Sequence, residues 1–111
     1  MKPGPELTAY LRAKPEERCS LVAYLHAKPA KQAELVKILQ GVVAPTRKEA
    51  GCIEYHLHVS DDDPDVIVAY EIWRSRKQLE EHLKTVHIGA FWVNRMDFLT
   101  EDADIRFCTE I

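Results

Sequence analysis

Glycine is scarce in this chain and closely spaced cysteines are missing, and both absences exclude several common kinds of site. Only four of the 111 residues are glycine, and none belongs to a glycine-rich phosphate loop or a Gly-x-Ser-x-Gly turn. The three cysteines are odd in number and widely spaced, with no CxxC pair. We therefore expect neither a phosphate-binding loop nor a serine hydrolase, and we expect reduced, mostly buried thiols.

An excess of basic charge and a long apolar run are missing as well. The formal net charge is -3, which gives no electrostatic reason to expect nucleic acid or an anionic lipid surface as a partner. No apolar run is long enough to cross a bilayer. Proline, glycine and glutamate occupy positions 3–6, where a signal peptide needs an apolar core. The expected protein is cytoplasmic, with no nucleic-acid partner and no membrane partner.

The composition is that of one globular domain, 46% hydrophobic and 30% charged. Hydrophobic periodicity predicts four strands, over residues 20–28, 52–59, 66–73 and 105–109. It also predicts a helix over residues 30–49, with Pro45 as a kink or break, a helix capped by Ser75, and a helix over residues 87–99. This βαββαβ order predicts an α+β, ferredoxin-like fold, an antiparallel sheet with helices on one face. The other face carries Val68, Tyr70 and Ile72, which predicts a homodimer through the sheet.

The N-terminus contains an internal repeat. Residues 7–15 recur as residues 21–29, with seven of nine positions identical. We interpret residues 1–19 as an N-terminal extension that partly duplicates the first strand segment, and residues 20–111 as the domain. Leu7, Tyr10 and Leu11 also fit a short helix that begins near Pro5. Two interpretations of the first copy therefore stay open, an extra extended arm and a helix.

One group of residues has the chemistry of an active site. Glu71 and Trp73 fall on the same side of a strand, and a helix follows directly. His82 lies on the apolar face of that helix, and His87 opens the next segment, with Phe91 one turn later. We predict that Glu71, Trp73, His82 and His87 converge as catalytic residues that bind and deprotonate a flat organic molecule. Each residue also has a structural alternative, as core, salt bridge, hydrogen-bonded imidazole or helix cap.

A second histidine group lies on the strand over residues 52–59. His56 and His58 point the same way as Glu54, and His26 stands on a strand that could lie nearby. Imidazoles at this spacing suit a transition metal, but no cysteine and no further carboxylate stands at ligand spacing. We interpret the group as a polar sheet face and predict no metal ligands.

The motifs Gly51-Cys52-Ile53-x-Tyr55, Tyr70-Glu71-x-Trp73-x-Ser75, Leu79-x-x-His82-Leu83 and His87-x-x-x-Phe91 occur together. Over residues 21–111 the chain resembles the antibiotic biosynthesis monooxygenase family, the dimeric α+β barrel group of small quinol monooxygenase-like proteins. The resemblance implies a ferredoxin-like monomer, a homodimer joined through its sheets, and a pocket between the sheet and the helices of each subunit.

The resemblance also implies an activity. Some members oxidise polycyclic phenols or quinols with molecular oxygen and use neither metal nor flavin. It therefore implies a small aromatic substrate of the quinol, phenol or anthrone type, O₂ as co-substrate and no cofactor. On that model Trp73 positions the ring, and His82, Glu71 or His87 takes the proton. The expected substrate-binding residues are Phe91, Ala69, Tyr55 and Asn94.

Two departures from the family pattern leave other functions open. Well-studied monooxygenase members pair the tryptophan with a pocket asparagine, whereas the only asparagine here is Asn94, and Ile67 and Ala69 occupy the corresponding strand positions. Phe91 and Trp92 stand near the place where haem-degrading relatives have an axial histidine, so haem cleavage is not expected. The alternatives are a non-catalytic homodimer that binds a small molecule, and an isomerase of a small hydroxyketone.

Overall fold

The computed structural model describes all 111 residues, in four strands, four α-helices and two 3₁₀ turns. In chain order the elements are α1 (Pro5–Ala13), β1 (Cys19–His26), a 3₁₀ turn (Pro29–Lys31), α2 (Gln32–Arg47), β2 (Cys52–Val59), β3 (Val66–Trp73), α3 (Arg76–His82), α4 (Val86–Val93), a second 3₁₀ turn (Arg95–Asp97) and β4 (Asp104–Cys108). The strands form one antiparallel sheet in the order β2-β3-β1-β4. The predicted α+β, ferredoxin-like fold is confirmed.

The core lies between one face of the sheet and the helices. Leu21 and Leu25 of β1 and Ile67 of β3 are buried because alternate residues of a strand point to the same side. Leu35 and Leu39, one turn apart on α2, are buried in the same cluster. Burying each such side chain contributes about 1.5–3 kcal/mol. We call this the inner face of the sheet and the opposite side the outer face.

The connection from α2 to β2 follows Pro45 and contains Gly51. Helix α2 continues through Pro45, so the proline does not break it, and ends at Arg47, two residues earlier than predicted. A Cβ atom on Gly51 would come within 2.5 Å of the Gln78 side chain. Gly51 therefore allows this connection to lie directly against α3, and that approach matters for the site described below.

The two copies of the repeat adopt different structures. Residues 7–13 of the first copy lie in α1, where Leu7 and Leu11 are buried one turn apart. The second copy begins in β1, where Leu21 and Leu25 are buried four residues apart on one side of the strand. The first copy is therefore a helix, one of the two interpretations left open. Arg12 of this copy forms a bidentate ion pair with Glu80 of α3.

The outer face of the sheet is more polar and more exposed than the inner face. Tyr70 in the middle of β3 is 40% exposed, whereas Val68 is half-buried and Ile72 is buried. His56 stacks on Tyr70 with ring centroids 6.3 Å apart. The last predicted helix, over residues 87–99, is shorter than expected because α4 ends at Val93. None of the helices is both long and apolar enough to span a membrane.

Candidate active site

Glu71 and Trp73 form a buried hydrogen-bonded pair at the end of β3. The Trp73 indole Nε1 donates to Glu71 Oε1 over 2.9 Å. Trp73 is fully buried, and Glu71 as a whole residue is 8% exposed. No hydrogen bond within the chain reaches the other carboxyl oxygen, Oε2. The tryptophan therefore holds one oxygen of the acid in place and leaves the other free.

Burial changes the acidity of Glu71. The pKa of its carboxyl rises from 4.5 to about 7, because desolvation disfavours the charged form; the Trp73 hydrogen bond partly opposes this rise, and the nearby charge of Glu49 adds to it. A carboxyl with a pKa near 7 exchanges its proton readily at neutral pH. The salt-bridge alternative for Glu71 does not apply, since no cationic side chain bonds to it.

His82, the last residue of α3, packs against Trp73 and Tyr55. Its ring centroid lies 4.6 Å from that of Trp73 and 5.5 Å from that of Tyr55. Burial lowers the pKa of His82, although hydrogen bonding to Glu49 opposes this effect. The neutral imidazole is therefore favoured at neutral pH. Burial also raises the pKa of the Tyr55 hydroxyl, which keeps this group protonated.

Glu49 joins the two predicted histidines. Its Oε2 atom lies 2.7 Å from His82 Nδ1 and 2.8 Å from His87 Nε2. We call these three residues the Glu49 cluster. Since the carboxylate accepts, each neutral imidazole donates from the nitrogen that faces it, and His82 Nε2 then has a free lone pair. His82 Nε2 has no hydrogen-bond partner within the chain.

Sequence reasoning missed Glu49. The residue lies in the connection after α2, which Gly51 allows to approach α3. The signal that could have found it is the requirement for a carboxylate beside one buried and one partly buried imidazole. The three ligating atoms of the cluster lie within 4.8 Å of one another, so these residues are also the ones that could hold a metal ion.

A small cavity between the inner face and the helices is bounded by two of the predicted catalytic residues. Its volume is about 60 Å³, and 15 of its 17 lining residues are hydrophobic. Glu71 and His82 are the remaining two. Tyr55, Ala69 and Phe91, predicted as substrate-binding residues, also line it. An acid and an imidazole thus face one apolar space, where charge interactions are stronger than in water.

The other predicted residues lie outside this cavity. Trp73 lies behind Glu71 and His82, and His87 lies on the far side of Glu49. Asn94 is exposed, and its side-chain Nδ2 donates to the Ala90 carbonyl of its own helix. It borders a wider surface groove of about 870 Å³ between α1 and α4. That groove contains no member of the Glu49 cluster, so we place the candidate site at the smaller cavity.

The outer-face histidines are not drawn together. His56 Nε2 lies 2.6 Å from Glu54 Oε2, and its Nδ1 atom lies 3.3 Å from Arg47. His26 instead faces Glu101 at 3.4 Å. These contacts match the predicted polar sheet face.

Known proteins resemble this chain in both sequence and structure. PA3566 from Pseudomonas aeruginosa superposes with a TM-score of 0.78 at 31% identity, over 85% of this chain and 94% of that one. The structure of Rv0793 from Mycobacterium tuberculosis superposes with a TM-score of 0.77 at 26% identity, over 86% and 96%. An uncharacterised protein of Synechocystis is 30% identical over 67 residues, 60% of this chain and 46% of that protein.

The local sequence match to Rv0793 is 38% identical over 50 residues, 48% of that protein. By sequence, the chain thus spans about half the length of the curated relatives it matches. The model of the family described as antibiotic biosynthesis monooxygenase matches residues 19–92. This match runs from β1 into α4 and includes Glu49, Glu71, Trp73, His82 and His87. The chain belongs to the antibiotic biosynthesis monooxygenase family.

Proposed function

We propose that this protein is a cofactor-independent monooxygenase that oxidises a small aromatic hydroxyl compound, of the quinol, phenol or anthrone type, with O₂. One observation carries the proposal: Glu71 Oε2 and His82 Nε2 are free of partners, and these two residues are the non-hydrophobic members of the cavity lining. A phenol bound between them would meet a proton acceptor on an apolar background. Removing its proton makes an electron-rich anion that reacts with O₂.

The balanced reaction needs no redox group from the protein. The phenol loses its O–H hydrogen and one ring hydrogen, in the ortho or para position, and that ring carbon gains one oxygen atom from O₂. The second oxygen atom leaves as water with the two hydrogens. The product is a quinone, and the substrate supplies all the electrons.

The geometry suggests a role for each residue. Glu71, with its pKa near 7, is the proton acceptor. Trp73 is a positioning residue, because its N–H fixes one oxygen of Glu71. His82 faces the substrate oxygen as a hydrogen-bonding group, and His87 supports Glu49 behind it. Phe91, Tyr55 and Ala69 provide the apolar walls.

The size of the cavity restricts the substrate. A volume of about 60 Å³ holds a few water molecules, whereas an apolar cavity of about 150 Å³ is known to hold benzene. An aromatic ring would therefore enter only as lining side chains move. Leu7 of α1, together with Leu83 and Trp92, also lines the cavity, and these three side chains lie toward the groove between α1 and α4.

The small volume favours one second candidate, an isomerase of a small hydroxyketone. Such a substrate has few heavy atoms, and an acid and an imidazole in one cavity could move a proton between two of its carbons. This reaction needs no oxygen. Turnover that continues under anaerobic conditions would favour it over the oxidation.

We also propose a homodimer joined through the outer face. Val68 is half-buried and Tyr70 is 40% exposed in a single chain, and a second copy would cover them. Sedimentation of the wild type and of Tyr70→Glu tests this proposal. A wild-type dimer that the variant dissociates is the expected result, and a wild-type monomer at all concentrations contradicts it.

The oxidation is tested by oxygen uptake with a panel of anthrones, naphthols and hydroquinones. We expect kcat/KM to rise with pH through about 7, because the base form of Glu71 is required. Glu71→Gln should lower kcat/KM by about 10²–10⁴-fold, the usual contribution of a general base. Trp73→Phe removes the hydrogen bond that lowers the pKa of Glu71, so the rising limb should move to higher pH.

The matched control is Glu54→Gln, since Glu54 is a half-exposed carboxylate on the outer face. It should leave oxygen uptake unchanged. If both Glu71→Gln and His82→Gln take up oxygen at the wild-type rate, the proposal is wrong.

A further inference from the structure

We propose that the Glu49 cluster is a binding site for a divalent transition-metal ion, with Zn²⁺ as its simplest occupant. The site lies beside the cavity and shares His82 with it. Binding of the ion does not require the oxidation proposed above, so either proposal can fail without the other.

The ligand set and the spacing suit such an ion. Two imidazole nitrogens and one carboxylate oxygen, contributed by α3, α4 and the connection after α2, lie within 4.8 Å of one another. Zinc binds histidine nitrogen at about 2.0–2.1 Å and carboxylate oxygen at about 2.0–2.2 Å. A tetrahedral ion would therefore separate its ligands by roughly 3.4 Å. The two carboxylate–imidazole distances, 2.7 Å and 2.8 Å, would therefore need to open by about 0.6–0.7 Å.

The charge around the cluster favours a cation. The hydrogen bonds of the Glu49 side chain go to His82 and His87 alone, and no lysine or arginine forms an ion pair with it. Glu71 lies close enough for the two carboxylates to affect one another. A divalent ion would supply the positive charge that this group lacks and would replace two hydrogen bonds with stronger coordination bonds.

The three ligands of the cluster differ in exposure. The His82 side chain is 3% exposed, whereas those of Glu49 and His87 are 17% and 22% exposed. An ion can therefore enter past His87 while His82 forms the inner wall. Three protein ligands leave the fourth position of a tetrahedral ion for water.

Occupancy would change what His82 offers to the cavity. Without an ion, the proton sits on Nδ1 facing Glu49, and Nε2 accepts hydrogen bonds. An ion on Nδ1 moves that proton to Nε2, which then donates into the cavity. Metal binding at Nδ1 would thereby decide whether His82 Nε2 accepts or donates a hydrogen bond in the cavity, because both nitrogens belong to the same imidazole ring.

The test is titration of the purified full chain with Zn²⁺ by calorimetry, and with Co²⁺ by visible absorption, in the absence of any organic substrate. We expect one ion per chain and a Co²⁺ spectrum of a four- or five-coordinate site. Glu49→Gln and His87→Gln each change a partly exposed ligand. Loss of a residue that only hydrogen-bonds to a metal ligand weakens metal binding by about 10–100-fold, and we expect each of these variants to weaken it by more. The ¹⁵N shifts of His82 should report the proton moving from Nδ1 to Nε2.

The matched control is His56→Gln, which removes the imidazole of the exposed Glu54–His56 pair. It should bind Zn²⁺ as the wild type does. The proposal is overturned if the wild type binds no ion, or if binding is lost in His56→Gln and kept in both cluster variants. Circular dichroism of each variant separates loss of a ligand from loss of the fold, and His87→Gln, at the more exposed ligand, is the variant least expected to unfold.

Discussion

Carboxylate–imidazole pairs of the same kind lie on the two sides of the sheet in opposite surroundings. Glu49 and His82 approach to 2.7 Å at the inner face, with side chains 17% and 3% exposed. Glu54 and His56 approach to 2.6 Å on the outer face, with side chains 46% and 43% exposed. The distances are nearly equal, so the spacing of the two groups does not explain why only one pair belongs to a candidate site.

Burial accounts for the difference. On the outer face, water screens the pair, and such an exposed contact contributes little to stability. At the inner face, desolvation lowers the pKa of His82 and raises that of Glu71, and the surrounding apolar side chains strengthen each remaining interaction. The comparison indicates that burial, rather than the spacing of the two groups, distinguishes the Glu49–His82 pair from the Glu54–His56 pair.

The largest expected effect comes from removing the inner-face aromatic. Trp73→Ala should lower the free energy of unfolding by about 3–5 kcal/mol, because it leaves a cavity and removes the only hydrogen-bond donor to Glu71. Tyr70→Ala on the same strand should cost far less in dilute solution, since Tyr70 is 40% exposed. Denaturant unfolding measures both. A large loss for Tyr70→Ala that grows with protein concentration would instead show that another copy covers the outer face.

An intermediate effect is expected for Glu71→Gln, and it depends on pH. The pKa of Glu71 is raised from 4.5 to about 7, so the folded chain holds this proton more tightly than the unfolded chain. The contribution of the protonated Glu71 carboxyl to the free energy of unfolding is fully present below pH 4.5 and is lost as the pH rises through about 7. Glu71→Gln should therefore gain up to about 3 kcal/mol over the wild type above neutral pH, with the difference shrinking toward pH 4.

Two comparisons check this pH dependence. His82, whose lowered pKa makes stability rise with pH, is present in both proteins, so its contribution cancels in the difference. Glu54→Gln measures the effect of removing a carboxylate on the outer face. A Glu71→Gln difference that is independent of pH would contradict a buried carboxyl at this position.

The smallest effect is expected on the outer face. His56→Ala breaks the contact with Glu54 and the stacking on Tyr70, and it should change the free energy of unfolding by less than about 1 kcal/mol. Urea titration at two salt concentrations is the measurement. A loss of unfolding free energy as large as that of Trp73→Ala would contradict the expected difference between the inner and outer faces.

The sequence predicted the fold and part of the site because both depend on local periodicity. Period-two alternation placed Glu71 and Trp73 on one side of β3, and helical spacing placed His82 on the buried face of α3. Glu49 could not be found this way, because its approach to His82 depends on how the connection after α2 lies against α3. Asn94 lies one residue beyond α4, facing solvent, and no local pattern distinguishes that position from one facing the cavity.

The repeat shows where local pattern is ambiguous. Leucines four residues apart meet on one side of both a helix and a strand, so residues 7–15 and 21–29 each fit either structure. Tertiary contacts decide between them. In the first copy, Tyr10 stacks on Phe107 and Arg76 lies over its ring, whereas in the second copy the backbone pairs with strands on both sides.

Because of this duplication, two segments of the chain have a sequence that suits the position of β1 in the sheet. The residues that β1 and its extension turn inward are Leu21, Ala23, Leu25 and Ala27, and the first copy supplies the same leucines and alanines at the same intervals. A newly made chain that placed residues 7–15 beside β3 would bury leucines and alanines at the same positions, and the fourteen residues 16–29 would then form a loop. A shift of the chain by fourteen residues is therefore the one register error that the inward-facing pattern of β1 does not oppose, and only the contacts of α1 and the length of the connection to α2 select against it.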